Sequence, residues 1–208
     1  MKKYEWILFD FDGTLVDTLA LNLSMINNLG GRIFRNFEPI TVDEVKEKGF
    51  WYYFKKYRIR KRYIPFVVLF FQILTKRLYR KVYISNEIRS LIIDLNAKGY
   101  KLGIVSSLNS SIVKSCLKRS ALNGYFRFVS TSPSLFSKEK ILTRAILKNN
   151  IKLNSVVYVG DEVRDINASK KVNIPVIAVE GGFATRERLI KANANNVIGS
   201  LAELVNLL

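Results

Sequence analysis

Histidine is absent from this chain of 208 residues, and cysteine occurs once. Without histidine, proton transfer near neutral pH falls to a carboxylate, a lysine, a tyrosine or a bound water. The single cysteine, Cys116, excludes an internal disulfide and a cysteine-based zinc cluster, and it favours a reducing compartment. We therefore expect a cytoplasmic protein whose chemistry rests on oxygen ligands and amines.

Long hydrophobic runs are also lacking. The longest, at residues 63–71, is well short of the ~18 to 20 residues that cross a bilayer. Near the amino terminus, Glu5 and Asp10 interrupt an apolar stretch before it reaches the ~7 to 15 residues of a signal peptide. The sequence thus predicts neither a membrane span nor an export signal.

Acidic residues are scarce beside basic ones. The chain has 34 Lys and Arg against 17 Asp and Glu, a formal net charge of +17 and a pI near 10.0. Such a surface attracts anions, including phosphates, nucleic acid and acidic lipid head groups. The hydrophobic content of 49% suits one domain, or one domain with an insertion, that buries a sizeable core.

Short apolar runs alternate with helical patterns along most of the chain. The runs lie at 6–9, 101–105, 126–129, 156–159 and 175–179, and amphipathic spacing between them indicates helices around 88–95 and 138–148. This alternation predicts an α/β fold, a Rossmann-like three-layer domain with a central parallel sheet. Ligands of such domains bind beyond the carboxyl ends of the strands.

Residues 17–85 break the alternation, because they contain long helical-looking stretches with no clear strand between them. We expect a helical cap domain at 17–85, inserted after the first strand into a catalytic core formed by 1–16 and 86–208. Both ends of the insertion would then emerge close to the carboxyl end of the first strand.

Carboxylates follow two of the apolar runs. Asp10 ends the first run and Asp12 lies two residues on, on the same side of an extended segment; Asp161 follows the fourth run, and Asp165 comes one helical turn later. Four carboxylates in one pocket repel one another unless a cation binds them. With oxygen ligands only, the favoured ion is Mg²⁺.

Groups that could hold a phosphate lie near the same strand ends. Ser106 ends the second run, and Ser107 is a neighbouring alternative for the same role. Lys138 begins a helix and could neutralise phosphoryl charge, although Lys140 lies only two residues away. Together the groups indicate a phosphoryl-transfer site with a carboxylate nucleophile and a second carboxylic acid as proton donor.

Four segments in this order resemble the motifs of the haloacid dehalogenase-like hydrolase superfamily, in its phosphoglycolate phosphatase-like branch with a helical cap: FDFDGTLVDT, IVSS, the lysine of FSKEK, and VGDEVRD. The resemblance covers the core and does not extend to the cap. It implies that Asp10 is the nucleophile, Asp12 the general acid and then base, Ser106 a phosphate ligand and Lys138 the stabilising cation.

The resemblance also implies a metal site and a reaction. Asp10, the Asp12 backbone carbonyl and Asp161 would bind Mg²⁺, with Asp165 supporting the ion directly or through water. Asp12 favours a phosphatase or phosphomutase over a dehalogenase, because a leaving halide needs no proton. We expect a Mg²⁺-dependent phosphatase acting on a small phosphorylated metabolite through an aspartyl-phosphate, as a monomer or homodimer.

Two alternatives stay open from the residues alone. One is a phosphomutase acting on a sugar phosphate. The other is a non-catalytic regulator that binds anions or nucleic acid through the basic cap. In that cap, aromatic residues interleave with twelve Lys and Arg between positions 46 and 81. The first interpretation of the segment is that its aromatic faces pack together while its basic faces are solvated or weakly attract an anionic substrate.

Overall fold

The computed structural model describes residues 2–33, 35–132 and 138–208, with the backbone alone at 51, 61, 64, 65, 67, 68, 71 and 72. Its centre is a parallel sheet of six strands in the order β3-β2-β1-β4-β5-β6. The strands are β1 Trp6–Phe9, β2 Lys101–Ser106, β3 Phe126–Thr131, β4 Val156–Gly160, β5 Val176–Val179 and β6 Asn196–Ile198. The α/β, Rossmann-like fold expected from the sequence is confirmed.

Some helices of the chain cover both faces of this sheet, and others form the segment between β1 and β2. They are α1 Leu19–Ile33, α2 Val42–Lys48, α3 Phe50–Lys56, α4 Ile64–Leu78, α5 Asn86–Ala97, α6 Ser110–Arg119, α7 Lys138–Lys148, α8 Val163–Val172 and α9 Arg186–Lys191. Short 3₁₀ segments also occur, of which Tyr79–Lys81 leads from α4 back to the core. Among the described residues, no helix is both long and apolar enough to cross a membrane.

The central strand β1 shows why the sheet has two covered faces. Its side chains alternate between two apolar clusters: Ile7 and Phe9 pack with residues of α5 and α6, and Trp6 and Leu8 pack with residues of α7 and α8. All four residues of β1 are buried. A strand enclosed on both faces has an uninterrupted apolar sequence, and its first polar residue therefore marks its carboxyl end.

The helices α1 to α4 all lie in the expected insertion, between β1 and β2. Val42 to Tyr57 is one of the helical-looking stretches of the insertion, and in the structure Gly49 divides it into two helices. Gly49 separates them at φ +76°, and Arg188 of the core packs against it, 2.7 Å from where a Cβ would lie. The division of the chain into a core and a cap domain stays a prediction.

The insertion contacts the core through a third apolar cluster. Leu19, Leu23, Val45 and Tyr53 pack around Phe183, which belongs to the loop after β5. The Arg188 guanidinium also donates to the carbonyl oxygen of Lys46 at 2.8 Å. These contacts place the helical insertion over the carboxyl ends of β1, β4 and β5.

Candidate active site

The candidate site lies where β2, β1 and β4 end side by side. Asp10 follows β1, Ser106 is the last residue of β2, and Asp161 follows β4 directly. The Asp10 amide donates to the Val159 carbonyl at 2.8 Å, so the pairing of β1 with β4 continues to this point. Because neighbouring parallel strands end at one edge of the sheet, the three residues lie along that edge, and all three are buried.

Lys138 joins them from the first turn of α7. Its Nζ lies 2.7 Å from Asp10 Oδ1 and 3.1 Å from Asp165 Oδ1, and the side chain is 1% exposed. Lys140 is exposed to solvent instead. Of the two lysines that the sequence left open, the structure therefore brings Lys138 to the carboxylates. Residues 133–137 of the loop before it lie outside the described residues.

Three of the four expected carboxylates form one cluster. Asp10, Asp161 and Asp165 each present an oxygen within 4.8 Å of the others. Asp161 is held on both oxygens, since the Thr14 hydroxyl donates to Oδ1 at 2.7 Å and the Phe183 amide donates to Oδ2 at 2.8 Å. Asp165 accepts from the Glu162 amide at 3.1 Å in the first turn of α8, so it caps this helix as well as pairing with Lys138.

Glycine is required beside Asp161. Gly13 has φ +85°, and a Cβ built on it would lie 2.2 Å from Asp161 Oδ2. A residue with a side chain would therefore be strained and would displace the carboxylate. The DGT sequence after the nucleophile candidate thus supplies both the close approach, through Gly13, and a hydrogen bond, through Thr14.

The chemistry of this cluster fits a hard divalent cation. The donors are carboxylate oxygens alone, and they are buried with fewer cations than their own charges require. Burial and the neighbouring acids Asp165 and Glu162 raise the pKa of Asp161 well above its usual range. A divalent ion would offset that cost, so the residues fit the group.

Burial also dominates the ionisation of Asp10. It raises the pKa of Asp10 to about 7, although the charge of Lys138 acts in the opposite direction. Burial lowers the pKa of Lys138, but the attraction of Asp10 and Asp165 outweighs this and the net effect is to raise it. Lys138 is therefore a permanent cation, and its charge is one reason why Asp10 can ionise in a buried position.

Asp12 lies apart from the cluster and has its own hydrogen-bond network. The Thr18 hydroxyl donates to Asp12 Oδ1, and the Asn22 amide lies 3.5 Å from Oδ2. The Tyr79 hydroxyl donates to Thr18 at 3.0 Å and accepts from Asn22 at 3.2 Å. Burial raises the pKa of Asp12 to about 6, against the lowering by its bonds to Thr18 and Tyr79. Asp12 is therefore a carboxyl group that can exchange a proton near neutral pH.

The two serines differ in their surroundings. Ser106 Oγ accepts from the Leu108 amide at 3.1 Å, which leaves its proton available to an anion. Ser107 Oγ is buried and has no hydrogen-bond partner among the described residues. Both hydroxyls are therefore placed near the end of β2 with donor capacity that the protein itself does not use.

Several residues of the site had not been singled out from the sequence. Two of them, Tyr79 and Asn22, are described above. A third is Tyr158, whose hydroxyl donates to the Val105 carbonyl at 3.2 Å and lies 3.4 Å from Asp165 Oδ1. Arg164 lies in the VGDEVRD segment, bonds Glu162 at 3.1 Å, and its charge helps to lower the pKa of Asp10. Arg164 could have been found from its place in the motif, whereas Tyr79 and Tyr158 carried no sequence signal.

The fold and these motifs match a known family. Residues 7–179 match the family model for haloacid dehalogenase-like hydrolases. A phosphoglycolate phosphatase from Synechococcus elongatus is 28% identical over 193 residues, which cover 89% of this chain and 88% of that protein. A glyceraldehyde 3-phosphate phosphatase from Pyrococcus furiosus is 26% identical over 230 residues, covering 100% of this chain and 94% of the relative.

Solved structures share the fold. A haloacid dehalogenase-like hydrolase from Streptococcus pneumoniae superposes with a TM-score of 0.80 at 18% identity, over 100% of this chain and 99% of that one. At that identity the similarity shows the architecture alone. The architecture includes the all-parallel sheet whose strand ends carry the carboxylates described above.

Proposed function

Because the chain belongs to the haloacid dehalogenase-like hydrolases and its named relatives are phosphatases, we propose that it hydrolyses the phosphate monoester of a small metabolite through a phosphorylated Asp10. The observation that carries this proposal is the buried Lys138 between Asp10 and Asp165, with Asp12 held separately. The arrangement offers one carboxylate whose ionisation is favoured by a fixed cation and would be favoured further by a bound metal ion, and a second carboxyl group that can carry a proton.

In the first step, a carboxylate oxygen of Asp10 attacks phosphorus, and the bond between phosphorus and the ester oxygen breaks. Asp12 gives its proton to the leaving oxygen, for which its pKa of about 6 is well matched. Lys138 and the serine hydroxyls at the end of β2 neutralise and hold the phosphoryl oxygens. The products are a free alcohol and a phosphorylated Asp10.

In the second step, the ionised Asp12 takes a proton from a water molecule, and the oxygen of that water attacks phosphorus. The bond between phosphorus and Asp10 breaks, which releases inorganic phosphate, returns Asp10 to a carboxylate and leaves Asp12 protonated as it was before the first step. The network of Thr18, Asn22 and Tyr79 orients Asp12 in both steps. The helical insertion over the strand ends would exclude other water during the first step.

We assign Mg²⁺ to the carboxylate cluster. Asp10 and Asp161 would hold the ion with the backbone carbonyl of Asp12, and Asp165 would support it. When bound, Mg²⁺ neutralises the charge on the transferred phosphoryl group and lowers the cost of ionising the buried carboxylates. The proposed substrate is a small phosphorylated metabolite, as the names of the two phosphatase relatives indicate for those proteins.

The test replaces Asp10 by Asn and measures phosphate release from a panel of phosphorylated metabolites in the presence of Mg²⁺. We expect turnover to fall by at least about a thousandfold, because an amide cannot form the acyl-phosphate and rate accelerations of ~10⁶ or more are at stake. The matched control is Asp94→Asn, an exposed aspartate of α5. Substantial residual activity in Asp10→Asn, or isomerised sugar phosphate in place of free phosphate, contradicts the proposal.

A further inference from the structure

Helix α4 of the insertion exposes an apolar stripe. Phe66, Leu69, Phe70 and Ile73 lie between 46% and 71% exposed. Their spacing of three and four residues places them on one side of the helix. The sequence favoured aromatic faces that pack together, and for this stripe the structure contradicts that interpretation. Apolar side chains arranged in this way on a helix face are a surface for a partner.

Basic residues continue the stripe at both ends. Lys76 and Arg77 lie one turn beyond Ile73 on the same side of α4, Arg62 lies one turn before Phe66, and Arg80 follows after α4. All four are exposed, and none forms an ion pair within the described part of the chain. The surface is therefore an apolar centre about 10 Å long with cationic ends.

Acidic groups are missing from the whole neighbourhood in sequence. No Asp or Glu occurs between Glu47 and Glu87. The cations around α4 consequently have no counter-charges on their own segment. A partner that matches this surface must supply anions at its edges and accept apolar side chains in the middle.

We propose that this face of α4 binds the surface of an anionic lipid bilayer. Phospholipid head groups supply the negative charge, and the acyl boundary just below them accepts Phe66, Leu69, Phe70 and Ile73. Helix α4 has 15 residues and is about 22 Å long, which is shorter than the ~30 Å hydrocarbon core. The helix therefore lies along the bilayer surface and does not cross it.

A second copy of the chain fits this surface less well. If two copies met stripe to stripe, the bases at the ends of one helix would face the bases of the other. No acidic residue of the same segment could relieve that repulsion. Nucleic acid would match the cations but would leave the aliphatic side chains of Leu69 and Ile73 without an apolar environment.

The experiment is co-sedimentation with vesicles of phosphatidylglycerol and phosphatidylcholine, and with vesicles of phosphatidylcholine alone. One variant, Leu69→Gln, Phe70→Gln, Ile73→Gln, removes three of the four apolar side chains of the stripe at unchanged net charge. Another, Lys76→Gln, Arg77→Gln, Arg80→Gln, removes three cations. The matched control removes three exposed cations from core helices: Lys114→Gln, Lys118→Gln, Lys148→Gln.

We expect the unmodified protein to sediment with the anionic vesicles only. The α4 charge variant should lose about a hundredfold in partitioning, because each base near an anionic surface contributes about fivefold. The apolar variant should also lose at least tenfold, since burial of the stripe adds to the attraction. The core control should lose less than about threefold. Circular dichroism and thermal unfolding check that each variant is folded.

Four results would overturn the proposal. Equal losses in the α4 charge variant and the core control would mean that overall charge alone attracts the vesicles. Unchanged binding of the apolar variant would remove the stripe from the interface. Absence of the unmodified protein from the pellet of anionic vesicles would exclude the bilayer as the partner. A molar mass in solution that rises with protein concentration, and that no longer rises in the apolar variant, would instead assign the face to a second copy of the chain. None of these results depends on phosphatase activity.

Discussion

Tyr79 is the residue to which the structure gives a role that the sequence did not indicate. Its hydroxyl lies beside the Thr18 and Asn22 side chains that hold Asp12, and the residue itself is 1% exposed. The backbone of the same residue is fixed to the core, because the Arg119 guanidinium donates to its carbonyl at 2.7 Å. Tyr79 thus joins the end of the helical insertion, the core helix α6 and the proposed proton donor.

Replacing Tyr79 with Phe should slow turnover by about tenfold, a fraction of the 10² to 10⁴ that a well-placed acid contributes. The Tyr79 hydroxyl lowers the pKa of Asp12, so its removal should raise that pKa and move the pH optimum of kcat upward. The measurement is the pH profile of kcat. The control is Tyr125→Phe, a half-buried tyrosine before β3, at the opposite end of the sheet. A lower melting temperature with an unmoved profile would leave Tyr79 with only a structural role.

Sequence patterns predicted the site residues that directly follow strands, but they missed the site residues that come from distant parts of the chain. Asp10, Ser106 and Asp161 could be placed because a buried parallel strand ends at its first polar residue. Tyr79 could not, since it contacts Thr18 at a sequence separation of 61 and has the same side chain as nine other tyrosines in the chain. Choosing Lys138 over Lys140 likewise required the phase of α7, which decides which lysine turns inward.

Gly49 has the clearest consequence at the scale of elements. It ends α2, begins α3 and has a positive φ, and the side chain of Arg188 lies against it. We expect Gly49→Ala to lower the free energy of unfolding by about 1–3 kcal/mol, because residues with a Cβ rarely adopt φ +76° with ψ 158°. Urea denaturation measures it. The control is Gly31→Ala in α1, where nothing lies within 4 Å of the added Cβ and alanine should stabilise the helix by about 0.5–1 kcal/mol.

The alternation of strand and helix predicted five strands and the two amphipathic helices examined, because each element has an apolar run or stripe long enough to recognise. The sixth strand, β6, has three residues and begins with an exposed asparagine, so it lacks such a run. The break at Gly49 was missed because both flanking segments have helical composition. Gly49 contacts Arg188, which lies 139 positions away in the sequence, and a local sequence pattern contains no information about such a contact.

At the scale of the whole molecule, the buried carboxylates should make the effect of Mg²⁺ on stability depend on pH. Burial raises the pKa of Asp10 to about 7 and that of Asp161 well above its usual range. Without metal, these groups hold protons in the folded state that they lose on unfolding. Their contribution to stability is therefore full below about pH 4, the ordinary pKa, and is lost as the pH rises through the folded pKa.

At the proposed site, Mg²⁺ would bind the ionised carboxylates and would compete with those protons. The rise in melting temperature on adding Mg²⁺ should therefore be large near pH 8 and small near pH 5, and EDTA should reverse it. Thermal unfolding with and without Mg²⁺ across this range measures it. In Asp161→Asn the metal-dependent rise should shrink at every pH. A rise that is equal at both ends of the range would argue against ion binding by this cluster.

Phe183 connects the helical insertion to the carboxylate cluster. Its amide holds Asp161, and its ring packs among Leu19, Leu23, Val45 and Tyr53 of the helical insertion. Any ligand that draws the insertion more tightly onto this ring would also fix the amide that orients Asp161, a carboxylate proposed to bind the metal ion. Thermodynamic reciprocity then requires that substrate and ion strengthen each other's binding by one common factor. The order in which the two ligands arrive would not alter that factor, so cooperativity between them would be a property of the fold itself.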